Sequence, residues 1–175
     1  MGRVRSTLGR PWFLTVLCTG VVLAGVGLYW FQPWKLWVDE TVRDPLPVAA
    51  AGNGARVEPK ELANGKLISH EHETSGSVRI LRLADGTRVL RLTDLETSNG
   101  PALRVWLSDA EVKPGKDGWH VFDDGRHVSL GELKGNKGDQ NYPLPADVDL
   151  DKYRSVTLWC DRFDVSFGAT ELTRA

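Results

Sequence analysis

The spacing of apolar positions changes near residue ~32 of this chain, and with it the kind of element predicted. From Pro11 to Phe31 the run PWFLTVLCTGVVLAGVGLYWF carries no charged side chain. At 1.5 Å rise per residue, a helix of this length covers about 30 Å, the thickness of a bilayer's hydrocarbon core. Lipid offers no partner to backbone polar groups, so a crossing segment has to be helical. The pattern predicts a transmembrane helix over 11–31.

Beyond it the period drops to two. SVRILRL (Ser77 to Leu83) and TRVLRLTDL (Thr87 to Leu95) flank Ala84-Asp85-Gly86. Asp-Gly predicts a tight hairpin, because both residues tolerate positive φ. LRVWLS (Leu103 to Ser108) sets Leu103, Val105 and Leu107 against Arg104, Trp106 and Ser108, as a strand with one wet face would. Further strands are predicted near Lys66 to Ser69, Val128 to Leu133, Ser155 to Cys160 and Asp164 to Leu172. Asn99-Gly100-Pro101, Lys113 to Gly118, Asp123-Asp124-Gly125, Gly135 to Asp139 and Pro143 to Pro145 carry turn chemistry. About eight short strands predict an all-β domain, a β-sandwich or a small barrel.

Between helix and strands, VDETVRDPLPVAAAGNGAR (38 to 56) mixes Pro, Ala, Gly and charge without an apolar period, and reads as a tether. The predicted organisation is a basic tail at 1–10, a transmembrane helix at 11–31, a linker at 32–56 and an outer domain at 57–175. Four of the 22 basic residues precede Asp39, leaving 18 against 23 acidic ones, a net charge of −5 for the remainder. That mildly acidic domain has no field to draw nucleic acid.

Arg3, Arg5 and Arg10 precede the span and Lys35 follows it. The positive-inside rule then keeps the amino terminus cytoplasmic and the carboxy-terminal domain outside a cell membrane, as a single-pass protein. Trp12 marks the inner interface; Tyr29, Trp30, Trp34 and Trp37 mark the outer one. A cleaved signal peptide is the competing reading. Its small-x-small site is poorly matched by Ala24-Gly25-Val26, inside the apolar run, and Ala49-Ala50-Ala51 lies far downstream. Leu17 before Cys18 does not suit lipoprotein processing, and no Gly-x-x-x-Gly spacing specifies helix pairing.

Of the two cysteines, Cys18 is in the predicted span, so Cys160 has no partner within the outer domain. Alternation places it with Val156 and Leu158 on the face that looks inward, with Ser155, Thr157 and Trp159 opposite. Buried, it is a small hydrophobe. Used, it is a redox thiol, a thiolate metal ligand or half of an intermolecular disulfide; each needs access and a lowered pKa, for which Arg162 is the local support. His70 and His72 of HEHE share one side of a strand and form a candidate metal pair, against a solvated strand end before Thr74-Ser75-Gly76. No nucleophile elbow, phosphate loop, His-Glu-x-x-His or Cys-x-x-Cys motif is present, and the residues name no cofactor.

From about Asn64 to Leu172 the order of motifs resembles the DM-thirteen domain, also described as "electron transfer DM-thirteen". The residues that carry the resemblance are Gly65-Lys66-Leu67-Ile68, His72 with Gly76-Ser77-Val78, Leu90 to Leu95, and Gly100-Pro101-Ala102 leading into Leu103 to Ser108. They continue with Leu130 to Gly135, then Gly138, Gln140, Tyr142 and Leu144-Pro145, and finally Tyr153, Ser155-Val156, Leu158-Trp159-Cys160, Phe163, Val165, Phe167-Gly168 and Leu172. Ala102 departs from the pattern, where family members often carry an acidic residue. The resemblance implies a β-rich fold, a redox role for the single motif cysteine at Cys160 with Trp159, His72 and Tyr142 as its neighbours, and a protein redox partner. The alternative is a non-catalytic binding or structural module with a buried cysteine.

Overall fold

The computed structural model describes residues 11–50 and 56–175. They belong to two compact units, one ending at Lys35 and one running from Leu36 to Ala175. The basic tail at 1–10 lies outside the described residues, as do residues 51–55 of the predicted linker.

The first unit is helix α1 (Pro11–Phe31), with no buried residue. Thr15 returns its hydroxyl to the Pro11 carbonyl at 3.0 Å, the way a polar side chain in an apolar helix finds a partner. The segment Pro11–Lys35 is long and apolar enough to cross a membrane, a test that a signal sequence also passes. A 3₁₀ turn, Pro33–Trp37, follows.

The second unit is built of β1 (Thr41–Arg43), β2 (Ala49–Ala50), β3 (Arg56–Val57), β4 (Lys60–Lys66), β5 (Ile68–Ser69), β6 (Ser75–Arg82), β7 (Arg88–Glu96), β8 (Leu103–Ser108), β9 (His127–Glu132), β10 (Lys137–Leu144), β11 (Ser155–Cys160), β12 (Val165–Glu171) and β13 (Thr173–Arg174). One sheet has the order β1-β10-β7-β6-β4-β13, the other β5-β12-β11-β8-β9, and β2 with β3 makes a separate ribbon. All pairs are antiparallel except β1 with β10.

Alternation explains why the sheets stack. Ala63, Val78, Ile80, Leu90 and Leu92 from the first sheet share one core with Val105, Leu107, Val156, Leu158, Val165 and Phe167 from the second. Each fully buried Leu or Ile contributes about 1.5–3 kcal/mol from the apolar area it removes from water. The architecture is a β-sandwich, which decides between the two predicted all-β forms.

The predicted hairpin is β6–β7, with a difference in its turn. Gly86 takes φ +86°, while Asp85 does not adopt a positive φ. Asp85 instead accepts from the Thr87 backbone N–H at 2.9 Å and from its hydroxyl at 2.6 Å, and those bonds hold its carboxyl below the usual range. The turn is closed by a side chain as well as by backbone conformation.

Two expectations are corrected. Residues 137–144 form β10, paired with β7 along its length and with β1 at 137–139, although Gly135 to Asp139 and Pro143 to Pro145 read as turns. The stretch read as a tether is structured from Val38 to Pro45. Asn99 Nδ2 donates to the Val38 carbonyl at 3.1 Å, Glu40 N donates to Asn136 Oδ1 at 2.7 Å, and Lys134 Nζ meets Asp44 Oδ2 at 2.6 Å. Arg91 Nη1 donates to the carbonyls of Asp44 and Pro45, and its Nη2 pairs with Asp139 Oδ2 at 2.5 Å. The sheet therefore begins at Thr41, before the predicted domain start at Val57.

Candidate functional site

Cys160 closes β11, opposite Leu103 of β8 and Val165 of β12. It is fully buried and belongs to the core between the sheets. Burial pushes its thiol pKa up; the backbone amides of Arg162, Phe163 and Ala102, hydrogen-bonded to the sulfur, pull it down less, and Glu71 adds to the rise. At neutral pH the group is a thiol, and the thiolate is the nucleophilic form. The strand alternates as expected, so the Trp159 ring lies on the opposite face and is not a neighbour of the sulfur across the core. Tyr142 is in the core but committed elsewhere: its hydroxyl donates to Gln140 Oε1 at 2.7 Å and accepts from Lys134 N at 3.0 Å. Burial pushes its pKa up to about 12.

His70 and His72 lie in a bend after β5, not in a strand, and they diverge. His70 is buried against Phe122 and Ser166, whereas the His72 ring packs on Phe167 at a centroid distance of 3.9 Å and pairs with Glu71 at 3.2 Å. Both ring nitrogens of His70 are used. Its Nε2 is 3.0 Å from the Lys113 carbonyl, which can only accept, so Nε2 carries the proton. Its Nδ1 then accepts from Ser166 Oγ at 2.7 Å, and Ser166 Oγ accepts from Thr157 Oγ1 at 2.8 Å. Burial lowers the His70 pKa, and the Lys113 bond only partly opposes that. The i, i+2 pairing read from the sequence fails because it assumed an extended strand. Among the described residues, no three His, Cys, Asp or Glu side chains gather as a metal-binding group.

The chain Thr157–Ser166–His70–Lys113 lies on the outer face of the second sheet, which the alternation of β8 and β11 marks as wet. It is dry. Trp106, Phe122, Trp159 and Ala169 make a second core there, with Ala110, Val112 and Val121 packed against it. The excursion between β8 and β9 supplies that cover, and Gly118 lies within it close against the His70 ring. A Cβ at Gly118 would stand 2.1 Å from the Lys113 carbonyl and 2.8 Å from His70 Nε2.

Within this second core the rings form a continuous stack that sequence reasoning missed. His127, exposed, lies flat on Trp106 at 3.9 Å and 5°. Trp106 stacks on Trp159 at 5.1 Å and 22°, and Phe122 meets Trp159 edge-on at 6.5 Å. Buried Trp106 Nε1 has no hydrogen-bond partner, an omission that costs about 1–3 kcal/mol. The register Trp106 to Ser129 and Thr157 to Trp106 was the available signal, but it emerges only once β8, β9 and β11 are paired.

A family model described as "Electron transfer DM13" matches residues 66–172. No curated protein and no solved structure matches the chain.

Proposed function

This chain belongs to the electron transfer DM13 family, and on that premise we propose that it is a membrane-anchored, extracytoplasmic member that serves a protein redox partner as a docking module, with Cys160 as a packed core residue. The apolar helix is the anchor, and the arginines before it orient the sandwich outward. The observation that carries the reading is the complete enclosure of Cys160 between the sheets, with its thiol pushed away from the reactive form. The test is alkylation of the full-length Cys18→Ser chain in lipid nanodiscs by a small maleimide. No label on the native protein and one on the denatured protein is the expected result. Stoichiometric labelling of the native protein overturns it.

A second reading, a redox thiol at Cys160, is favoured by the three backbone amides on the sulfur, because such donors stabilise a sulfur anion. It requires the turn at 161–164 to open. Trapping of a sulfenic acid at Cys160 by dimedone, after peroxide treatment of the folded chain, supports this second reading; absence of the adduct removes it.

A further inference from the structure

Resting on the electron-transfer reading above, we infer that the stacked indoles of Trp106 and Trp159 are a one-electron relay whose solvent end is His127. The rings run without a gap from a nearly fully buried indole to an exposed imidazole, at separations of 5.1 Å and 3.9 Å. Ordinary core packing does not require this chemistry. The inner face of β11 is filled by Val156, Leu158 and Cys160, and a benzyl ring in place of Trp106 would bury comparable area without a polar atom to leave unpaired. An indole pair is among the side chains most easily oxidised by one electron, and stacking spreads the resulting charge over two rings. Cys160 and Tyr142 are poor rivals, since each has to release a proton to be oxidised and burial holds that proton in place.

The step balances without bond cleavage. A one-electron oxidant, a metal centre of a partner protein docked over His127, accepts one electron and is reduced by one. The indole pair is left as a radical cation, and the Trp106 Nε1 proton stays because that nitrogen has no hydrogen-bond partner. One electron from a small-molecule reductant of the ascorbate class restores the pair.

The experiment uses the full chain in nanodiscs with Cys18→Ser and Ser129→Cys, and a ruthenium polypyridyl photosensitiser attached at the introduced thiol. Ser129 is exposed and lies opposite Trp106 in the β8–β9 register. Flash excitation with an oxidative quencher produces the ruthenium(III) oxidant in place. A transient indole radical cation is expected, lost in Trp106→Phe and absent when the same label sits at Ala84→Cys on the first-sheet hairpin. An unchanged signal in Trp106→Phe, an equal signal from the Ala84 label, or no radical from the Ser129 label overturns the relay. Should Trp106→Phe fail to fold, the comparison of the two label positions decides. Cys160 alkylation is a separate readout, so the relay can fail while the packed-cysteine reading stands, and the reverse.

Discussion

His70 Nδ1 lies 2.7 Å from Ser166 Oγ, and that contact ties the bend after β5 to the start of β12. With Nε2 on the Lys113 carbonyl, one imidazole joins three segments far apart in sequence. The ring does so as a neutral group, because it needs Nδ1 as an acceptor.

That requirement makes stability depend on pH. Burial lowers the folded-state pKa of His70 below its ordinary 6.5, so the unfolded chain takes up a proton first as pH falls. The contribution is complete above pH ~6.5 and is lost as pH drops through the lowered folded value. Urea midpoints measured from neutral to mildly acidic pH are expected to fall, and His70→Gln is expected to remove that part of the slope. An unchanged slope in the variant would refute the assignment.

Gly118→Ala is expected to destabilise the domain by about 1–3 kcal/mol, because the added methyl meets a backbone carbonyl and the His70 ring. Trp fluorescence should report the disturbance as the cover over Trp106 and Trp159 loosens. A variant with the parent's urea midpoint and emission would contradict this packing.

Cys160→Ala leaves a small cavity and takes the sulfur away from the Ala102 and Arg162 amides, while Phe163 N keeps the Cys160 carbonyl at 3.2 Å, and should cost about 1–3 kcal/mol. Cys160→Ser keeps an acceptor atom and should cost less than alanine does. Denaturant unfolding of the two variants checks the order.

A chain beginning at Val57 is expected to be less stable than one beginning at Leu36. It loses β1 and the hydrogen bonds that Asn99, Asn136 and Arg91 make to residues 38–45, at about 1 kcal/mol for each bond. Equal thermal midpoints for the two would show that the segment is a tether after all.

The contrast between β7 and β10 shows what made a strand legible. β7 alternates Leu90 and Leu92 inward against Arg91 and Thr93, so its period is visible in isolation. β10 buries Gln140, Tyr142 and Leu144, leaves Asn141 half-buried and Pro143 exposed, and carries a bulge between Gly138 and Gln140, which reads as loop composition. Gln140 is tolerated there, fully buried, because its Nε2 donates to the Gly135 carbonyl and its Oε1 accepts from Tyr142. Those partners come from the fold. The candidate site divides in the same way: the inward direction of Cys160 followed from alternation, while the separation of His70 from His72 depended on a bend that no period marks.

By itself the sequence determined the apolar helix, the two-residue period of the strongest strands and the isolation of Cys160 from Cys18, because each follows from spacing along one chain. The tertiary structure alone decided how dry each face is. The cover that buries Trp106 and Trp159, and the core that encloses the Cys160 sulfur, are made of residues distant in sequence. Reactivity and pKa follow from that enclosure.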